Sequence, residues 1–259
     1  MLFRSLAVAL TYAEGSSGIA LAGGGAGSAN TISAPVTARV KAGAVKGSQA
    51  NPGQATIKAA SSATDSQGQV SRRELVARLG AGSLAIARGR SATSFGASIG
   101  AVDVANTLSG DVGAALEANT VDLPGSLAVT STSADSIDTT VAAASMAVGV
   151  SKTDANGFAV ALSGAGAGAR NSLDAASTAL VKRYNDSSTA NGSLTLGGGL
   201  SLSSIATGQI TANVGSGSLA VSYAGQGASA SLAPSVGISL ASNTINGNGR
   251  AALQGFATV

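Results

Sequence analysis

Apolar and polar residues alternate strictly over long stretches of this chain. Leu127, Val129 and Ser131 fall on one side and Ala128, Thr130 and Thr132 on the other, and Leu194 and Leu196, then Leu200 and Leu202, keep the same period. A period of two with β-branched residues predicts strands, because successive side chains of an extended backbone point to opposite faces. Glycine-rich runs at residues 23–27, 164–168 and 197–199 separate the alternating stretches and read as turns or close backbone approaches. Two short segments, 75–79 and 142–147, could each support a turn of helix. Glycine every few residues costs about 1 kcal/mol per interior helical position, which argues against long helices.

The alternation is organised into a tandem repeat. Blocks open at Ser5, Ser83, Ser145 and Ser218 with Ser-Leu-Ala-Val, Ser-Leu-Ala-Ile, Ser-Met-Ala-Val and Ser-Leu-Ala-Val, and each reaches an asparagine: Asn30, Asn106, Asn171 and Asn243. From each asparagine the copies run on without a gap, with Ile32, Leu108, Leu173 and Ile245 two residues later. A repeat in a chain of small residues points to a stacked, quasi-one-dimensional architecture. The fold expected is all-β, a parallel β-helix or β-solenoid of about four imperfect tandem units starting near 5, 83, 145 and 218. Repeats of 20 to 45 residues are usual for one coil, so each unit is expected to wind about three coils, roughly ten to twelve in all. At about 4.8 Å per coil the rod would be on the order of 50 to 60 Å long. The recurring asparagine is expected at a coil corner, in a left-handed turn, with stacked copies forming a ladder. The polar stretches 46–54 and 65–74 are expected to leave the stack as exposed loops. Residues 1–259 form a single array, and because both ends interrupt a unit the chain is expected to be a fragment of a longer repeat protein.

Composition narrows the chemistry. Aromatics make up 3% of the chain, tryptophan is absent and there are 36 glycines, so the interior must be narrow. A hydrophobic fraction of 44% with only 10% charged residues argues against disorder. The net charge of +3 is scattered. Its densest basic spots, Arg72-Arg73 and Arg88 with Arg90, lack interleaved aromatics and read as solvated edges rather than a nucleic-acid footprint. No apolar run approaches the ~18 residues of a membrane helix, and no aromatic girdles mark a membrane barrel. Membrane insertion is therefore not expected.

With no histidine and no cysteine, Ser-His-Asp and Cys-His nucleophiles, imidazole or thiolate metal sites and disulfides are all excluded. The nearest thing to acid pairs are Asp135 with Asp138 and Asp103 with Asp111, and on a strand Asp135 and Asp138 face opposite sides. The glycine runs lack the aspartate of calcium-binding repeats and the Lys-Ser/Thr of a phosphate loop. No catalytic, cofactor-binding or metal-ligating residue is expected, nor any cofactor. Ice binding would need ranked threonines, and Thr130 with Thr132, Thr139 with Thr140, and Thr207 with Thr211 do not recur at equivalent positions.

The Ser-Leu-Ala-Val openings, the Gly/Ala runs, the Asn-Thr-Ile, Asn-Thr-Leu and Asn-Ser-Leu tripeptides, and the Gly-Ser-Leu strands at Gly125, Gly192 and Gly217 resemble the repetitive regions of bacterial surface proteins. These are the β-strand-repeat giants, filamentous-haemagglutinin-like adhesins and autotransporter passengers. The resemblance implies an exported β-solenoid at the cell surface or outside the cell, acting as a non-enzymatic stalk or adhesive segment. Its partners would be neighbouring repeats of the same chain and an unnamed host-surface, glycan or matrix ligand. The alternatives are a carbohydrate-active β-helix, a polysaccharide lyase or hydrolase, and an ice-binding solenoid.

Overall fold

A computed structural model describes residues 2–15, 17–50, 52–64, 70–90, 93–152, 157–184, 192–226 and 230–258, with side chains of 2–15 and of 63, 64, 70, 71 and 258 left aside. The described residues form sixteen strands and no helix. The first coil comprises β1 (Leu2–Gly15), β2 (Gly18–Ser33) and β3 (Val36–Lys46). The second comprises β4 (Ala55–Ala60), β5 (Ala63–Thr64), β6 (Val70–Ser71), β7 (Arg73–Gly89), β8 (Thr93–Ser109) and β9 (Val112–Leu123). In the third are β10 (Leu127–Ser151), β11 (Phe158–Lys182) and β12 (Gly192–Leu196), and in the fourth β13 (Leu200–Ala224), β14 (Ala230–Leu232), β15 (Ser235–Gln254) and β16 (Phe256–Thr258).

Two parallel sheets result. In sheet A the order is β1-β7-β10-β13, with β4 beside the start of β10. Sheet B stacks β2, β8, β11 and β15 along one half and β3, β9, β12 and β16 along the other. The chain crosses sheet A in one direction and returns through sheet B, so one coil is one strand line in each. The all-β parallel fold agrees with the sequence reading.

The number of coils does not. Asn30 pairs with Asn106, Asn106 with Asn171 and Asn171 with Asn243, so consecutive units are adjacent rungs and each unit is one coil rather than three. A single line of sheet A, β10, runs for 25 residues, about 80 Å at 3.3 Å per residue, whereas four rungs rise only about 20 Å. The molecule is a long, low plank, not a tall rod. The glycine runs 23–27 and 164–168 lie inside β2 and β11 rather than at turns; only 197–199 marks one.

The first block also slips. Ser83, Ser145 and Ser218 share one column, but Ala9, not Ser5, pairs with Ser83. The offset of four residues is even, so inward and outward faces are preserved, and alternation alone cannot forbid such a slip.

Of the two expected insertions, residues 47–50 and 52–54, between β3 and β4, are exposed, and residue 51 lies outside the described residues. For the second, β5 and β6 pair as an antiparallel hairpin off the stack, residues 65–69 lie outside the described residues, and Arg73 and Glu74 already belong to β7.

Inward residues sort by size along the plank. Around the turn at 124–126 the sheets enclose Leu116, Val121, Leu127, Val129, Val181 and Leu194. The middle holds Leu75, Leu108, Ile137, Val141 and Leu173. Toward the start of β2 and the end of β7 only small residues remain inside, with Ala20, Ala22, Ala85 and Ala87 as their own cluster. The column two residues after the asparagines is inward throughout: Leu108 and Leu173 are fully buried, Ile32 packs against the same core, and Ile245, on the last rung, faces Gly208 of β13 while half-exposed.

Candidate functional site

The most repeated polar residue is committed to the stack. The four asparagines lie within strands, not at corners, with their side chains directed between the sheets. The Nδ2 of Asn30 donates to Asn106 Oδ1 (2.8 Å), Asn106 Nδ2 to Asn171 Oδ1 (2.8 Å) and Asn171 Nδ2 to Asn243 Oδ1 (2.9 Å). From the facing sheet Thr139 Oγ1 accepts from Asn106 Nδ2 and donates to Asn171 Oδ1, each at 2.8 Å. Buried amides must be satisfied, and a stack of equivalent amides satisfies itself. The ladder expected from sequence is present, but it runs mid-strand.

One of the basic residues read as solvated is mostly withdrawn from solvent, its side chain 10% exposed. Arg73 donates from Nε to Asp135 Oδ1 (2.9 Å) and from a terminal nitrogen to Oδ2 (2.6 Å), and Ser133 Oγ donates to the same Oδ2 (2.7 Å). The Arg73 guanidinium also donates to the carbonyls of Ala34 and Gly110. Those carbonyls sit where sheet B breaks between β2 and β3 and between β8 and β9, and Gly110 at φ 137° takes a backbone conformation that side chains disfavour. Arg73 is a spike holding that break, and Asp135 is its counter-ion. Asp138 lies on the outer face, as its spacing from Asp135 predicted.

Asp103 and Asp111 are not brought together as an acid pair. Asp103 takes the exposed Arg170 guanidinium at 2.5 Å on the outside of sheet B, while Asp111 accepts from the Ala176 N–H at 3.4 Å. The carboxylates that do share a cleft were not read from sequence: Glu74 and Asp138 line one of about 500 Å³ on sheet A with Arg72, Ser136, Gln209 and Thr211. Only the register, Ser136 beside Glu74, could have shown it.

Farther along sheet B, Glu117 lies between Arg39 (2.5 Å) and Lys182 (3.3 Å). Desolvation pushes its carboxyl up, but the hydrogen bonds and charges of Arg39 and Lys182 outweigh that and hold it below the ordinary carboxylate range. Lys41 covers the Tyr184 ring at 4.5 Å, so this outer face is charged and internally paired.

The Ser-Leu-Ala-Val motif behaves in the opposite way to a core motif. Its serines and alanines point inward and its large residues outward: Ser83 and Ser145 are buried, while Met146, Leu219 and Val221 are exposed. Ser83 Oγ meets Ser98 Oγ at 2.6 Å across the sheets, and Ser145 meets Ser163 at the same distance. Here the two backbones nearly touch. A Cβ on Gly100 would lie 2.5 Å from the Ala144 carbonyl oxygen, and one on Gly96 2.7 Å from that of Val148. Ser94, facing Gly149, is left with a buried hydroxyl and no hydrogen-bond partner among the described residues.

The outside of this half is correspondingly apolar. Sheet A presents Met146, Leu219, Val221 and Tyr223, and sheet B presents Ile19, Leu21, Ile99, Val236, Ile238 and Leu240. On sheet B an apolar furrow of about 510 Å³ runs over Gly25, Gly166 and Gly168, walled by Ala101, Ile238 and Leu240. The chain matches no family model, no curated protein and no solved structure. A rank of hydroxyls also crosses sheet B, missed from sequence: Thr31, Thr107, Ser172 and Thr244, each one residue after its asparagine. The neighbouring rank, Ala29, Ala105, Arg170 and Ser242, does not continue it.

Proposed function

We propose that this chain is a non-catalytic scaffold segment of a secreted or cell-surface repeat protein, and that its apolar outer faces are its adhesive surface. One observation carries the reading: the repeated polar residues, asparagines and serines, are spent on rung-to-rung and sheet-to-sheet hydrogen bonds, while the repeated large apolar residues face solvent. Exposed apolar patches of this size on a folded chain mark interaction surfaces. The resemblance to bacterial adhesin repeats supports the extracellular placement. Protease shaving of intact cells of the source organism tests it, since a surface segment is released from whole cells and an internal one only after lysis. Replacing Met146, Leu219 and Val221 together by serine should weaken adsorption of the purified chain to apolar surfaces, with no change in its strand spectrum, the sheet B face being left to account for the remainder.

A second reading, polysaccharide hydrolysis or elimination, is favoured by the Glu74–Asp138 cleft alone. Two carboxylates on one face with an arginine beside them are the minimum such chemistry requires. Turnover of a polysaccharide panel that disappears in both Glu74→Gln and Asp138→Asn would establish it in place of the scaffold.

A further inference from the structure

We propose that the apolar part of sheet B is where a second copy of this chain docks, two planks packing face to face about a two-fold axis that runs along the strands between the second and third rungs. The proposal rests on the reading of the outer faces as interaction surfaces and gives one of them its partner. It stands wherever the protein resides and whatever sheet A adheres to.

The starting point is Ile99. This residue lies on the second rung, with a strand on either side, and is still 64% exposed. Its lateral neighbours on the outer face are Gly23 and Gly164, so it forgoes the cross-strand contacts that such a side chain normally makes. Nothing inside the molecule asks for these glycines: a Cβ on Gly23, Gly164 or Gly166 would meet no atom within 4 Å. Gly96 and Gly100 differ, because on the inner face the opposite backbone leaves them no room. Glycine weakens a strand interior, and where the chain's own packing does not require it, close approach by another surface accounts for it.

The outer face is laid out to fit itself. At one outward position the four rungs carry Gly23, Ile99, Gly164 and Val236, and at the next Gly25, Ala101, Gly166 and Ile238. A two-fold axis along the strands keeps each outward position, sets the second rung on the third rung of the copy, and sets the fourth on its first. Ile99 then enters over Gly164 of the copy and Val236 over its Gly23, while Ala101 meets Gly166 and Ile238 meets Gly25. Every larger side chain of the two rows lands on a glycine, and the furrow of about 510 Å³ is filled. The relation is the same from either copy, so the contact is isologous and closed. The outermost rungs enter only through their outward side chains.

Area and charge agree. From Ala97 to Ala105 there are five outward positions about 6.6 Å apart, and with four rungs about 4.8 Å apart the face measures about 33 by 19 Å. Two copies cover roughly 1,200 Å², the lower bound of a stable specific interface. At the next outward position Asp103 of the second rung is held by Arg170 of the third at 2.5 Å, both exposed. In the pair, Asp103 lies over Gly168 of the copy, one outward position before that copy's Arg170. Two aspartates and two arginines meet there with no net charge, so neither ion is covered without a counter-ion.

Sedimentation velocity of the full chain across a wide concentration range tests the idea, and is expected to show monomer passing to dimer. Gly164→Ile fills the furrow where the chain itself has room. It should keep the strand spectrum and raise the concentration for half-association at least about tenfold. Adding Ile99→Gly to it exchanges the two sides of the contact and should restore the dimer. Unspecific apolar adhesion predicts the reverse, tighter association for Gly164→Ile alone. A chain that stays monomeric overturns the proposal. So does association that Gly164→Ile leaves unchanged or strengthens, or a folded double variant that pairs no better than the single one. Should the double variant lose its strand spectrum, Gly166→Leu takes its place as a second filling of the furrow and must also suppress the dimer. The variant with Met146, Leu219 and Val221 replaced by serine should dimerise like the unaltered chain. Loss of its dimer would put the contact on sheet A and overturn the proposal, whereas its adsorption to apolar surfaces judges the adhesive reading separately.

Discussion

The two halves of the plank solve the same packing problem with opposite allocations of side-chain volume. Around the turn at 124–126 large aliphatics fill the space between sheets and the outside carries paired charges, Arg39 and Lys182 both bridging Glu117. Toward the end of β7 and the start of β8 the interior is alanine, glycine and serine, the sheets nearly touch, and the aliphatics stand outside. The broad half gains stability by removing apolar area from water, at about 25 cal/mol per Å². In the narrow half this contribution is small, and backbone ladders, close contact and hydroxyl bridges between sheets hold it together. A parallel β-fold therefore does not need a conventional core at every rung position. Where that core is absent, apolar surface becomes available for something else.

The sharpest way to break this division is at the boundary between the halves. Arg73→Leu leaves Asp135 buried without its cation and the Ala34 and Gly110 carbonyls without their donor, and should cost about 3 to 5 kcal/mol in a denaturant titration. The double variant Arg73→Leu, Asp135→Leu should recover much of this. Next in size is Leu116→Ala in the broad half, a cavity expected to cost about 2 to 5 kcal/mol. In the narrow half the dangerous change runs the other way: Gly100→Ala adds a methyl where the Ala144 carbonyl stands, and should cost about 1 to 3 kcal/mol. Equal losses for a truncation and an enlargement in both halves would mean that the halves do not differ as described.

Acid provides a milder probe confined to the broad half. The folded-state carboxyl of Glu117 lies below its unfolded value, so its stabilisation is fully present above the ordinary carboxylate range and is lost as pH falls through the depressed value. Glu117→Gln should flatten that part of the stability-versus-pH curve and leave the narrow half's local hydrogen exchange unchanged. The smallest effect belongs to Met146→Ser, which should shift stability by no more than about 0.5 kcal/mol while weakening binding of an apolar dye. A large loss of stability there would show that Met146 is covered rather than exposed.

Much of this was legible in the chain. Strict alternation gave strands, the tandem asparagines gave stacking, and the column of Ile32, Leu108, Leu173 and Ile245 was placed on the inner face. What misled was length. A glycine run inside a strand is locally indistinguishable from a turn, so residues 23–27 and 164–168 suggested corners, and the usual repeat length of 20 to 45 residues multiplied the coils. Within those runs a side chain is sterically barred at Gly24, whose Cβ would lie 2.2 Å from the Gly82 carbonyl oxygen, whereas Gly23, Gly164 and Gly166 face open space. Arg73 looked solvated because only pairing brings Asp135 to it across 62 residues. The Glu74–Asp138 cleft was hidden for the same reason: the two lie on different strands, and an error of one residue in register would have put them on opposite faces.

The spacing of the ladder bears on how the chain reaches this state. Asparagines that touch are 76, 65 and 72 residues apart in sequence, so each rung must close a long loop before its first cross-rung bond forms. Such closures are slow, and they are followed by a run of bonds with no further closure to make. Folding should therefore wait on the meeting of two rungs and then zip. Unfolding must shear a 25-residue ladder before any loop entropy returns. Refolding and unfolding curves taken at ordinary scan rates should fail to superimpose, and the gap between them measures a persistence that is kinetic in origin.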